Sequence, residues 1–380
     1  MPNSDPASPP RNGSRVNGWR NREFERGRNR QRIPGAMIAG GAGFLGSHLC
    51  ERLLEDGYRV YCLDNFLTGE RRNIAHLQKH PRFVLMEHDV RQPTPAFDDV
   101  VEVYNLACPA SPPHYQKSPI DTATTSVSGT LRLLELATRL KARFLLCSTS
   151  EVYGDPEEHP QTETYRGCVS TTGPRACYDE SKRMAETLCY DVRRMHGTDV
   201  RVARIFNTYG ARMRLDDGRV ISNLVSQALR GQAMTIYGTG RQTRSFCHVS
   251  DMIEGLTRLM RVPGPVEGPV NMGNPEEYSM LEVAELISEL TGRPLTLTHG
   301  ELPRDDPQRR RPDITLARRE LGWSPRISLR TGLENTIEWF AELTAEETRV
   351  RGPRLHTAPP VRPIRPESDG KRASQGAGAA

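Results

Sequence analysis

The sequence is poor in apolar residues. No stretch of it approaches the about 20 consecutive apolar residues that a membrane span requires. Met1 to Pro10 carry no apolar core of the kind a secretory signal needs, so neither an anchor nor an export signal is expected. The eight cysteines (Cys50, Cys62, Cys108, Cys147, Cys168, Cys177, Cys189 and Cys247) include no CxxC pair. That argues against a zinc site or a dithiol redox centre, and no metal is expected. Several lie inside apolar runs, as buried free thiols do in a reducing compartment, and a cytoplasmic location is expected.

Apolar residues make up 36% of the chain, and much of the deficit lies at its two ends. Residues 1–33 are rich in Arg, Asn, Gly and Pro, and residues 349–380 in Pro, Arg, Gly and Ala. Such segments cannot bury enough apolar surface to offset the entropy of ordering, so both read as disordered tails. Part of the net charge of +5 comes from Arg11, Arg15, Arg20, Arg22, Arg26, Arg28, Arg30 and Arg32. No folded scaffold accompanies these arginines, so they read as a solvated tail rather than a nucleic-acid contact.

Between the tails, strand and helix patterns alternate. Met37–Ala39, Tyr58–Leu63, Arg82–Met86, Val101–Ala107, Arg143–Cys147 and Val200–Phe206 read as strands. Phe44–Asp56, Asp121–Leu140 and Tyr178–His196 read as helices between them. Alternation of this kind implies βαβ units, and so an α/β fold with a Rossmann-like, doubly wound parallel sheet. After Gly210 the pattern loosens into helices near Ile221–Arg230, Asp251–Met260 and Leu281–Leu290, with a last helix over Gly332–Leu343. The expected division is a dinucleotide-binding domain over 34–210 and a smaller C-terminal substrate lobe over 211–348, interleaved with it.

Gly40-Gly41-Ala42-Gly43-Phe44-Leu45-Gly46 follows the first strand and opens the first helix. Glycines here let the backbone turn tightly and approach a pyrophosphate, which then sits at the positive end of a helix. Asp64 ends the second strand, where a carboxylate can accept from a ribose 2′-hydroxyl and would repel a 2′-phosphate. The pair of features points to NAD rather than NADP.

Tyr178 and Lys182 stand four residues apart on a predicted helix and so share one face. An ammonium beside a phenol lowers the phenol's pKa, and such a Tyr can take the proton of a sugar hydroxyl. The fifth strand ends in Ser148-Thr149-Ser150-Glu151, at the edge where open α/β sheets bind ligands. Thr149 is placed there to hydrogen-bond the reacting hydroxyl, and Glu151 to set a carboxylate beside the sugar ring.

Together these motifs resemble the extended short-chain dehydrogenase/reductase superfamily, over about Met37 to Phe340. Within it the chain resembles the UDP-glucuronic acid decarboxylases, through Ala107-Cys108-Pro109-Ala110-Ser111-Pro112-Pro113, Ser148 to Asp155 and Gly173 to Glu180. Arg201 to Gly210, Gln242-Thr243-Arg244-Ser245-Phe246 and Asp305 to Asp313 continue the likeness. The resemblance implies Tyr178 as base, Lys182 as its partner and Thr149 as the hydroxyl-positioning residue. It puts Glu151 and Arg244 at the face where the sugar loses CO₂, and Asn207 and Arg310 at the nucleotide diphosphate. It also implies UDP-glucuronic acid as substrate and a homodimer built from the two long helices. Arg219 is a further expected substrate contact. Phe44, Leu45, Asn65, Phe66, Thr68, Gly69, Asp89, Val90, Leu106 and Thr125 are further expected cofactor contacts.

The chain departs from that pattern in three places. An Arg-rich tail stands where membrane-anchored members carry a span, Ser181 where glycine is common, and Cys108 where serine is common. A 4,6-dehydratase is the nearest rival, but Ser150 replaces the Asp that would protonate a leaving hydroxyl. A 4-epimerase has no evident need for Glu151 with Arg244. An NAD-sensing or RNA-binding protein on an inactive scaffold is opposed by intact Thr149, Tyr178 and Lys182.

Overall fold

The computed structural model describes residues 33–301 and 309–351. The expected N-terminal tail, all but its last residue, lies outside them, as do residues 352–380 and the Asp305 to Gln308 part of the last motif. The first half of the chain runs β1 (Gly35–Ala39), α1 (Phe44–Glu55), β2 (Arg59–Asp64), β3 (Phe83–Glu87) and β4 (Val100–Asn105). Two short helices follow, α2 (Pro112–Tyr115) and α3 (Pro119–Thr124), then α4 (Thr130–Leu140), β5 (Arg143–Thr149), α5 (Ala176–His196) and β6 (Val200–Ile205). The second half runs β7 (Thr208–Tyr209), α6 (Val220–Leu229), β8 (Met234–Tyr237), β9 (Thr243–Ser245), β10 (Cys247–His248) and α7 (Val249–Arg261). It closes with β11 (Val270–Met272), β12 (Glu277–Ser279), α8 (Met280–Thr291), β13 (Leu297–Gly300), β14 (Arg309–Arg310), α9 (Thr315–Leu321) and α10 (Leu329–Arg351).

Seven strands form one parallel sheet in the order β3-β2-β1-β4-β5-β6-β11. The chain reverses direction across the sheet between β1 and β4, which opens a crevice at their carboxyl ends. Strand residues alternate between two cores, as the two-residue period of a strand requires. Ile38, Cys62, Leu145 and Ala203 pack under α1 and α7. Met37, Leu63, Phe144, Leu146 and Val202 pack under α4 and α5. A third core, with Leu224, Val225, Ile236, Val283, Ile287 and Phe340, binds α6, α8 and α10 into the smaller lobe.

The strands and helices expected in the first half stand within a few residues of their predicted ends. The helix expected over Asp121–Leu140 is not uniform: α3 and α4 are joined by a π-turn over Thr125–Gly129. A Cβ on Gly129 would lie 2.6 Å from Val90 Cγ2, so this wide turn passes close against the end of the third strand's loop. The last helix runs past both expected ends and takes in residues 349–351, which the sequence reading gave to the tail. Residues 344–351 are mostly helix formers, and the first breakers are Gly352 and Pro353. β11 is not among the strands that the sequence pattern predicts, because its three residues are too short a run to register. No helix among the described residues is long and apolar enough to cross a membrane. No group of three His, Cys, Asp or Glu among them is placed to hold a metal ion.

Candidate active site

A cleft of about 590 Å³ runs from the carboxyl ends of the central strands into the smaller lobe. Nearly every residue singled out in the sequence lines it, including Thr149, Glu151, Tyr178, Lys182, Asn207, Arg219, Arg244 and Arg310. Phe66 and Asp89 do not. Phe66 takes a left-handed backbone (φ 58°) and its ring lies 4.0 Å from the Arg71 guanidinium carbon. Asp89 is held by Arg91 at 2.7 Å, and that hydrogen bond is the main reason its carboxyl is lowered to about 2.

The Gly-rich end of the cleft is shaped for a ligand that needs bare backbone. Gly40 has φ +79°, and a Cβ on Gly46 would stand 2.1 Å from the Gly40 oxygen. No side chain fits at either place, so bare backbone surrounds the first N–H groups of α1, which face the cleft where a phosphate would sit. Asp64 does more than end its strand. Its Oδ2 accepts from Ala42 N at 2.9 Å and its Oδ1 from Phe66 N at 2.8 Å. A Cβ on Gly69 would fall 2.7 Å from the same carboxylate. Asp64 therefore ties the Gly-rich turn to the loop after β2, and burial raises its carboxyl pKa despite those two donors. The fit to a dinucleotide is good: glycines for the pyrophosphate, a buried carboxylate at the ribose end.

At the other end, α5 brings Tyr178 and Lys182 under Thr149. Lys182 Nζ donates to the Cys147 oxygen at 2.9 Å and stands 5.9 Å from the centre of the Tyr178 ring. The spacing of Tyr178 and Lys182 predicts an ammonium that lowers the phenol. Instead burial pushes the Tyr178 phenol well above its usual value, with nearby Cys108 adding to the rise and a hydrogen bond from Thr149 opposing it. The Thr149 hydroxyl also accepts from Glu151 N at 3.2 Å and so caps the turn that follows β5. Tyr115, from α2, stacks on Tyr178 with ring centroids 5.0 Å apart and planes 3° from parallel. It was not anticipated, although it follows the quoted Pro112-Pro113 run by two residues.

Glu151 is expected from the sequence to set a carboxylate beside the sugar ring, with Arg244 at the same face. In the structure it is clamped. Arg175 Nη2 donates to its Oε2 at 2.6 Å, Arg310 Nη2 to the same oxygen at 2.8 Å, and Arg310 Nη1 to its Oε1. Burial alone would raise this carboxyl, but Arg310 and Arg175 outweigh it and hold it at about 2. An ionised Glu151 is an acceptor and a charge, not a proton donor near neutral pH. Arg310, expected at the diphosphate, gives both its Nη atoms to Glu151. Arg175 was missed, though it lies three residues before Tyr178 within a quoted motif. Beside this group Asp179 is buried, and burial followed by the Glu151 charge raises its carboxyl to about 7. Arg219 pairs with Asp217 at 2.9 Å and stands 5.8 Å from the Phe44 ring, where the two lobes meet.

Comparison with known proteins agrees with this architecture. The family model described as GDP-mannose 4,6 dehydratase matches residues 37–336. UDP-glucuronic acid decarboxylase 1 of Danio rerio is 52% identical over 314 residues, 83% of this chain and 73% of that protein. UDP-glucuronic acid decarboxylase 6 of Arabidopsis thaliana is 52% identical over 305 residues, 80% of this chain and 88% of that one. Among solved structures, UDP-glucuronic acid 4-epimerase from Bacillus cereus, in complex with UDP-glucuronic acid and NAD, superposes with a TM-score of 0.73. It shares 28% identity, over 81% of this chain and 99% of its own. By the breadth and level of these matches, the chain belongs to the UDP-glucuronic acid decarboxylase family of the extended short-chain dehydrogenases/reductases.

Proposed function

We propose that this protein converts UDP-glucuronic acid to UDP-xylose and CO₂ with NAD held in the Gly-rich half of the cleft. The observation that carries the reading is one cleft that joins Thr149, Tyr178 and Lys182 to the clamped Glu151–Arg310 pair, with Arg244 beside it. NAD bound there would supply a reversible two-electron oxidation at C4 of the sugar through its cationic nicotinamide ring, and would be restored by the end of the turnover.

The roles of the side chains follow from their positions. Thr149 and Tyr178 hold the C4 hydroxyl between them, and Tyr178 takes its proton as the carbon is oxidised. Burial favours the phenol, and cationic groups that offset the burial lower its pKa and make the phenolate available as the base. Lys182, anchored on the Cys147 oxygen, is the protein's own cation on that side. Once C4 is a ketone, the C5 carboxylate is β to a carbonyl, so the C5–carboxyl bond breaks and its electron pair enters the enolate. The guanidinium groups of Arg310 and Arg244 face this charge, and Glu151 fixes Arg310 rather than delivering a proton itself. C5 then takes up one proton drawn from solvent, C4 is reduced, and Tyr178 returns the proton to its oxygen.

The assembly and its location belong to the same reading. Met184 and Met195 lie eleven residues apart on α5, about three turns, so they share a face. They are 46% and 75% exposed, and Ile120 on neighbouring α3 is 76% exposed. A homodimer that pairs α4 and α5 with their copies would cover this apolar surface. All eight cysteines are free, which suits a reducing cytoplasm.

The test is direct: incubation with UDP-glucuronic acid and NAD, with identification of the sugar product and CO₂. UDP-xylose with equimolar CO₂ supports the reading. UDP-galacturonic acid without CO₂ would replace it with 4-epimerisation.

A further inference from the structure

Arg310 is carried by a strand of only two residues, β14, which pairs on one side with β9. So short a strand has too few ladder hydrogen bonds to fix where its side chains point. The residues that follow it, 311–313, are held by a residue outside the cleft. Gln161, fully buried, donates its backbone N–H to the Arg311 oxygen at 2.9 Å. Asp313 N donates to the Gln161 oxygen at 2.8 Å, and Arg311 N donates to the Gln161 side-chain Oε1 at 2.8 Å. Pro312 has no N–H, so both backbone donors of residues 311–313 end on Gln161. The side-chain amide is fixed in turn by Nε2, which donates to the Glu158 oxygen at 2.6 Å. Behind it Asn271 Nδ2 donates to the Gln161 oxygen at 3.0 Å and to the Asp313 oxygen at 3.1 Å.

We propose that Gln161 is a positioning residue: its amide sets the backbone at Arg311, and so sets the fork of Arg310 on Glu151. The backbone pairing would survive a change of side chain, but the Arg311 N–H would lose its acceptor and be left buried. The segment could then shift by a fraction of an ångström, and the fork–fork pair with it. Loss of position at a reacting centre costs up to about 10²-fold in rate for a shift near 1 Å.

The inference rests on the proposed decarboxylation for its kinetic reading and on the backbone for its structural one. The experiment compares wild type, Gln161→Met, Gln161→Glu and Arg310→Ala, together with the double variant Gln161→Met/Arg310→Ala. Gln161→Met keeps length and removes both polar ends, whereas Gln161→Glu keeps an acceptor for Arg311 N–H. The expected result for Gln161→Met is a kcat for UDP-xylose lowered by about 10- to 100-fold with the Kd for NAD unchanged. Gln161→Glu recovers at least a third of the wild-type kcat at pH 6. In the Arg310→Ala background the Gln161→Met change costs less than threefold, because its effect runs through Arg310. Hydrogen exchange on the peptide that contains Arg311 and Asp313 becomes faster in Gln161→Met, while peptides of β1 to β6 keep their protection. A Gln161→Met enzyme with wild-type kcat, or one that loses the same factor with and without Arg310, overturns the proposal. If wild type makes no UDP-xylose, the decarboxylation reading falls. The exchange data then decide the clamp alone, and unchanged exchange at Arg311 overturns it.

Discussion

Arg244 and Arg310 are register partners on the parallel strands β9 and β14, so two guanidinium-bearing side chains enter the same cleft from adjacent strands. On the other wall Tyr178 and Thr149 face them. On the proposed reading Tyr178 and Thr149 serve oxidation and the two arginines serve decarboxylation from different lobes, so substitutions in each should stop the reaction at different points. Tyr178→Phe should bind substrate and NAD yet give no absorbance of reduced nicotinamide, with kcat down about 10²–10⁴-fold. Arg244→Ala should still oxidise C4 and then stall, so that reduced nicotinamide or a 4-keto sugar builds up in the enzyme. Rapid mixing with UDP-glucuronic acid reads both. Wild-type turnover by Tyr178→Phe, or identical traces from the two variants, would refute the division.

The Asp64 carboxylate sits between the Gly-rich turn and Gly69. Asp64→Ala removes the acceptor for both Ala42 N and Phe66 N, and should weaken NAD binding while narrowing the preference for NAD over NADP. Gly69→Ala should do part of the same without touching Asp64, because its Cβ would press on that carboxylate at 2.7 Å. Titration of each variant with NAD and NADP checks this, and equal affinity of the wild type for the two cofactors would remove Asp64 from its role.

The fold holds a proton on Asp179 where the unfolded chain has released it, since burial and Glu151 raise its carboxyl from 3.8 to about 7. Folding stability from this group should therefore fall as pH rises between about 4 and 7. Glu151 acts in the opposite sense, but only below its ordinary value, because it is held at about 2 and its contribution is lost in acid. His48, lowered by burial from 6.5 to about 4, adds a slope of opposite sign below about 6.5, so the Asp179 slope is read as the difference between wild type and a variant without that carboxyl. Asp179→Asn, of the same shape and without the charge, should gain on wild type as pH rises and melt several degrees higher at pH 8. Thermal melts at pH 5, 6.5 and 8 decide it, and parallel curves for the two proteins would count against the assignment.

The exposed methionines of α5 give the assembly its own test. Met195→Glu sets a charge on the proposed apolar interface at a site 75% exposed in the single chain, so it should leave the fold intact. It should convert a dimer to monomer at micromolar concentration in light scattering. A wild type that is monomeric at high concentration would end the proposal.

Much of this was legible in the sequence, and the gaps have physical causes. Glycines that cannot be replaced, a carboxylate at a strand end and a Tyr–Lys pair on one helix face are local patterns, set by backbone geometry within a few residues. Where a charge finds its partner is not local. Nothing near Glu151 in the sequence announces that Arg310, from another lobe, closes on it. Nor does the sequence pattern announce that Arg91, two residues on, pairs with Asp89. Lys182 stands on the same helix face as Tyr178, as its spacing requires, but its ammonium reaches the Cys147 carbonyl rather than the phenol. Strands as short as β11 and β14 have no period to detect, because two or three residues cannot alternate.

The late entry of β11 into the main sheet bears on how this molecule can be divided. A fragment that ended at Gly210 would leave β6 as a bare edge, with the backbone groups of Ala203, Arg204 and Ile205 open to any passing strand. It would also lack α7, and with it the cover over Ile38 and Leu145. Such a piece should aggregate rather than fold. Anyone who builds chimaeras to graft a new sugar specificity onto this cofactor half must therefore exchange segments at two crossings of the chain, once on each side of α7 and β11, and leave those two elements with the parent sheet.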